Sequence, residues 1–218
     1  ASENDIKEIS LVSFRTGSLV VAGKNGEIAI LDKDGKGKSV FNSKNTNSVS
    51  ISSDASYIYL LGDSGITRTD KKSGKTSVVS EDARGSGTGI LDTFLGNVYL
   101  LNKKSGSVDK FQTPSFARKD YFTDETTLKS PSSLSIDSSI WIVDAGKVRK
   151  FTKGAEETFS TRGLTKNLGD GAQIFTSQDY SNIYILDPKN IRIISVSKDG
   201  EFKNQYSWRD LSSASSFS

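Results

Sequence analysis

A short apolar motif returns five times along this chain at nearly constant spacing, and no other feature restricts its folding so strongly. The copies are Leu19-Val20-Val21-Ala22, Ile58-Tyr59-Leu60-Leu61, Val98-Tyr99-Leu100-Leu101, Ile140-Trp141-Ile142-Val143 and Ile183-Tyr184-Ile185-Leu186. Their second positions are 20, 59, 99, 141 and 184, in steps of 39, 40, 42 and 43 residues. Each copy is a continuous run of β-branched, aromatic and aliphatic residues, too short for a helix. That pattern describes a strand covered on both faces.

The flanks repeat too. A turn rich in Gly, Asp, Asn or Lys follows each motif, as in Lys24-Asn25-Gly26, Asp63-Ser64-Gly65 and Ala145-Gly146. Gly and Asn tolerate the positive φ of tight hairpins. A further strand comes next, Glu27 to Leu31 in the first period and Ile191 to Ser195 in the last, and then a more polar one, such as Ser77 to Val79 or Glu201 to Tyr206. A strand of small residues precedes each motif: Ser10 to Phe14, Ser48 to Ser52, Gly89 to Thr93, Ser133 to Ile136 and Gln173 to Thr176. Four antiparallel strands in about 40 residues, graded from small to apolar to polar, make one blade of a β-propeller. The expected fold is therefore all-β, with five blades at roughly 6–44, 45–86, 87–131, 132–167 and 168–206 in a single domain.

Residues 207–218 form a tail that resembles the first strand of a further blade. The alternative is accordingly part of a six-bladed propeller, with Asp5 to Ile9 and Ser212 to Ser218 as leftover strands of an incomplete blade. Such a blade would favour homo-oligomers through its exposed faces. The chain starts at Ala1 rather than Met, as a processed or excised piece would.

Composition narrows function mainly by exclusion. There is no Cys, His or Met, which removes disulfides, a thiolate nucleophile, a Ser-His-Asp triad and the usual zinc sites. Net charge is +3, with Lys and Arg scattered among acids, so nucleic acid is not an expected partner. No apolar run is long enough to span a membrane as a helix. A bacterial or extracytoplasmic location is mildly favoured. The 36 serines and 19 glycines suit many short strands and turns, and only 3 prolines argue against wholesale disorder.

Most carboxylates, such as Asp32, Asp34, Asp70 and Asp199, fall in turns, and only Asp92 and Asp137 lie on the small-residue strands. No set of acidic and amide ligands converges, so neither a metal nor a cofactor is expected. The segment Thr113 to Thr127 is the longest insertion, and long loops on rigid scaffolds often bind ligands. Its Phe116, Arg118, Tyr121 and Phe122, with Trp208 from the tail, are the candidate contact residues.

Asp187-Pro188-Lys189-Asn190-Ile191-Arg192 resembles the core of the NHL repeat. Asp144 with Arg149 matches less fully, and Asp63 with Arg68 keeps the separation. WD40-like and YWTD-like propellers are similar in their short, degenerate motifs. The resemblance implies five or six blades and little about activity. The hairpin between the second and third strands should bring each Asp-Arg pair together in a charge-assisted bond. The expected function is a non-enzymatic binding or scaffold module for a protein, peptide or glycan, acting through loops or a central funnel. The alternative is a metal-assisted hydrolase or lactonase, which would need three or more carboxylates and amides around an ion.

Overall fold

The computed structural model describes residues 9–15, 18–32, 34–84 and 87–214. Its strands form five separate four-stranded antiparallel sheets, the blades of a β-propeller. Blade 1 contains β1 (Ile9–Arg15), β2 (Ser18–Gly23), β3 (Glu27–Leu31) and β4 (Gly37–Asn42). Blade 2 contains β5 (Ser50–Ser53), β6 (Tyr57–Gly62), β7 (Gly65–Asp70) and β8 (Thr76–Ser80). Blade 3 contains β9 (Gly89–Phe94), β10 (Asn97–Asn102), β11 (Ser107–Gln112) and β12 (Ala117–Asp120). Blade 4 contains β13 (Pro131–Ile136), β14 (Ile140–Asp144), β15 (Lys147–Thr152) and β16 (Ala155–Glu157). Blade 5 contains β17 (Gln173–Phe175), β18 (Asn182–Asp187), β19 (Arg192–Ser197) and β20 (Phe202–Tyr206). Every repeated motif falls on the second strand of its blade.

The chain divides into two compact units, one of Ala1–Asn102 with Phe111–Arg118, the other of Lys103–Lys110 with Lys119–Phe217. In the first unit, Val20, Ala22, Ile28 and Ile30 of blade 1 pack on Ile58 and Leu60 of blade 2. The opposite face of blade 2, through Tyr59, Leu61 and Ile66, packs on Leu91, Val98, Leu100 and Phe111. In the second unit, Trp141, Val143 and Val148 of blade 4 meet Ile174, Ile183, Ile185, Ile194 and Val196 of blade 5. Successive side chains of a strand point to opposite faces, so an unbroken apolar run serves two neighbours at once.

Four of the five motif positions are buried as expected: Val20, Tyr59, Tyr99 and Trp141. Tyr184 departs from the pattern and is only half-buried. Its ring meets Tyr180 edge-on at 5.9 Å, and Tyr180 is itself exposed.

Arg209–Ser213 is a short 3-10 helix anchored by buried Leu211, so the described start of the tail is not extended. The strands expected at Asp5 to Ile9 and Ser212 to Ser218 fall largely on residues 1–8 and 215–218, outside the described residues. Among the described residues no helix is long and apolar enough to cross a membrane.

Candidate functional site

The innermost strands are rich in serine because their hydroxyls tie one blade to the next. Ser50 Oγ accepts the Leu91 amide at 2.9 Å, and Ser52 Oγ donates to Asp92 Oδ1 at 3.0 Å. In the second unit, Ser133 Oγ accepts the Ile174 amide at 3.0 Å. Ser135 Oγ accepts the Thr176 amide at 3.0 Å and donates to the Thr176 carbonyl at 3.1 Å. Partners lie about 40 residues apart, one blade further on. These serines are buried, so their hydroxyls are structural fasteners rather than ligand contacts.

The two carboxylates of the inner strands are engaged as well. Asp92 Oδ1 accepts from Ser52 and from the Thr93 amide. Asp137 accepts the Ser139 amide at 2.8 Å and pairs with Lys198 Nζ at 2.8 Å. Burial alone would raise the Asp137 carboxyl; the Lys198 ammonium and the local amides outweigh it and hold it below its ordinary range. Among the described residues no three acidic side chains gather to hold a metal ion.

The Asp-Arg pairs form within their hairpins and act on the linkers between blades. Arg192 Nε donates to Asp187 Oδ2 at 2.9 Å, with both side chains buried. Asp187 Oδ1 accepts the Gly169 amide, while Arg192 donates to the carbonyls of Lys166 and Asn167. In blade 4, Asp144 Oδ1 accepts the amides of Lys129 and Ser130, and Arg149 donates to Asp144 and to the Thr127 carbonyl. Each pair thus fixes the incoming chain of its own blade.

Blade 2 achieves the same result from the other side. Asn45, in the incoming linker, donates to Leu60 O, Gly65 O and Thr67 Oγ1 and accepts the Ser64 amide. Asp63 accepts from Thr46 and Asn47, and Arg68 does not reach it. The register explains this difference. Arg149 lies opposite Ile142, whereas Arg68 lies opposite Tyr59, which is equivalent to Trp141. A one-residue offset in a strand reverses the face. Arg68 therefore points toward blade 3, away from the linker.

The candidate contact residues separate into different environments. Phe116 is half-buried against the cluster of blades 2 and 3, with the Arg68 guanidinium 4.8 Å from its ring centre. Arg118 lies on β12 and is exposed. In the second unit, Tyr121 and Phe122 are half-buried, Tyr121 Oη donates to the Phe151 carbonyl at 3.3 Å, and Phe122 meets Phe151 at 4.9 Å. Burial raises the Tyr121 phenol above its usual range. Trp208 is 50% exposed in extended backbone. Phe116, Tyr121 and Phe122 spend much of their surface on packing, while Arg118 and Trp208 are exposed to solvent.

A groove of about 940 Å³ lies elsewhere, against blade 4. Lys147, Val148, Arg149, Glu156 and Glu157 form one side, and Thr158, Phe159, Ser160, Thr161, Leu164, Asn167, Leu168 and Asp170 of the linker form the other. Phe159 and Leu164, both half-buried, supply its apolar surface, and Phe159 rests edge-on against Trp141 at 5.0 Å. Ser160, Thr161 and Asn167 supply hydroxyls and an amide. Arg149 holds Glu156 through two bonds of 2.7 and 2.6 Å, and this pairing keeps the Glu156 carboxyl below its ordinary range.

The sequence pattern did not reveal this groove. The available signal was the stretch from Thr158 to Ala172, which carries no strand pattern. The linker leaves β16 after only three residues because Arg162 pairs instead with Gly200 and Phe202 of blade 5.

No protein-family model and no curated protein sequence matches the chain. Solved structures do resemble it. A structure described as a nidogen/laminin complex aligns with a TM-score of 0.67 and 16% identity, over 94% of this chain and 82% of that one. Virginiamycin B lyase from Staphylococcus aureus, a catalytically inactive histidine-to-alanine variant with quinupristin, aligns with a TM-score of 0.65 and 12% identity, over 95% and 72%. A streptogramin B lyase aligns with a TM-score of 0.62 and 16% identity, over 91% and 68%. These likenesses establish the propeller fold, which is shared by proteins that bind and by proteins that catalyse.

Proposed function

We propose that this chain is a non-enzymatic binding module that recognises a protein, peptide or glycan, with the groove of blade 4 as its contact surface. The observation that carries this reading is the groove's lining. It joins an apolar floor, Phe159 and Leu164, to exposed hydroxyl and amide groups and to the Arg149–Glu156 ion pair. Such a surface suits an extended polar ligand. A nucleophile or base with an unusual proton affinity would mark catalysis better, and Arg149 with Glu156 is instead a closed ion pair. The lyase-like neighbour whose inactive form lacks a histidine differs in kind, since these 218 residues contain none.

The test screens the protein against a random displayed peptide library and a glycan array. Ser160→Trp, a substitution at an exposed wall position, should abolish any binding while leaving thermal unfolding unchanged. Binding that survives Ser160→Trp would move the contact away from this groove. Failure to retain any peptide or glycan would overturn the module reading.

A further inference from the structure

Arg68 is held in a way that its counterparts in the other blades are not. Its guanidinium carbon lies 4.8 Å from the centre of the Tyr57 ring and 4.8 Å from that of Phe116. Its Nε donates to Ser77 Oγ at 3.2 Å. The guanidinium therefore lies against two aromatic rings and is tied at Nε. The two Nη groups make no bond to the described residues, and the side chain is half-exposed. Arg149 and Arg192 spend their terminal nitrogens on carboxylates and linker carbonyls, whereas Arg68 forms no ion pair with a carboxylate among the described residues. The equivalent residue in blade 4, Lys150, is satisfied by Glu157 at 2.6 Å.

We propose that Arg68 is a preorganised carboxylate-binding site. The two rings and Ser77 engage the guanidinium carbon and Nε, and the edge formed by Nη1 and Nη2 makes no bond to the described residues. That edge matches a carboxylate, whose two oxygens are coplanar and can accept in parallel. The rings and Ser77 have already removed the rotamer freedom that an exposed arginine loses on binding. Phe116, just ahead of β12, supplies the second of the two rings. The site lies wholly within the first compact unit and does not depend on the blade 4 groove.

The source is a carboxylate borne by a larger ligand, either an acidic peptide side chain or an acidic sugar. The experiment follows the Arg68 Nε–Hε resonance by NMR while N-acetyl-glutamate amide or sodium glucuronate is added, with the methyl esters as neutral controls. A saturable shift with one acid identifies that source, and a shift with both assigns the shared group. Neither ester should move it. Arg68→Lys, which keeps the charge but lacks the fork, should weaken binding at least about tenfold. Phe116→Leu should weaken it as well, while the Arg149 resonance stays still in every titration. No saturable shift with either acid, or an equal response to sulfate, overturns the proposal. So does unchanged affinity in a folded Arg68→Lys protein.

Discussion

Replacing Asp187 by alanine tests whether the Asp-Arg pairs hold the linkers in place. Asp187 is 0% exposed and the Arg192 side chain 3%, so truncation strands a guanidinium away from water. The Gly169 amide loses its Asp187 acceptor in the same step, and Asn190 Nδ2 loses one of its two. Breaking a buried ion pair from one side costs about 3–5 kcal/mol. At this chain length that corresponds to a fall of roughly 6–20 °C in the melting midpoint. Asp144→Ala should cost less, about 2 kcal/mol, because the Arg149 side chain is 21% exposed and keeps both bonds to Glu156. The double variant Asp187→Ala with Arg192→Leu should recover part of the loss, since no charge is left unpaired. Urea unfolding at pH 7, read by fluorescence and circular dichroism, measures all three. A double variant less stable than Asp187→Ala, or equal costs for Asp187→Ala and Asp144→Ala, would refute the reasoning.

Gly65 and Gly35 both have positive φ, +82° and +76°, but a Cβ at Gly65 would collide with the Ser80 carbonyl while one at Gly35 meets open space. Alanine should therefore cost about 1 kcal/mol at Gly35 and about 3 kcal/mol at Gly65, measured by the same unfolding series. Ser135→Ala should cost about 2 kcal/mol by leaving the Thr176 amide and carbonyl unpaired; Ser138→Ala, whose side chain makes no bond among the described residues, serves as the neutral control. Asp137 has a depressed carboxyl, so its stabilising contribution is complete above the unfolded value of about 4 and is lost as pH falls through the lower folded value. Carbonyl-detected NMR should place its midpoint below that of an exposed aspartate. Lys198→Met should raise the midpoint and shrink the acid-dependent part of stability.

Blade number, strand order and the buried motif were readable because a strand enclosed on both sides must be apolar throughout, and that demand repeats every 40 residues. The hairpin pairings of Asp187 with Arg192 and Asp144 with Arg149 were readable for a similar local reason. Sequence separation misled at Arg68, because five residues is the same interval in blade 2 but the hairpin begins one residue earlier, which reverses the face. The serine fasteners were visible as composition only; the partners of Ser50, Ser133 and Ser135 are backbone groups, which leave no trace in side-chain identity. The groove was hidden because Thr158 to Ala172 has no periodicity, and its course depends on where Arg162 finds a free edge in blade 5.

Those serine fasteners bear on how such a chain can change over evolutionary time. Ser50, Ser133 and Ser135 grip main-chain amides or carbonyls of the following blade, groups that every residue except proline presents in full. The joint is therefore indifferent to the side chains of its neighbour. A duplicated or recombined blade could enter the series with a working connection at once, provided its linker length kept the inner strands in step. A lineage built on such joints can gain, lose or exchange whole blades and adjust the apolar contacts afterward, by small steps.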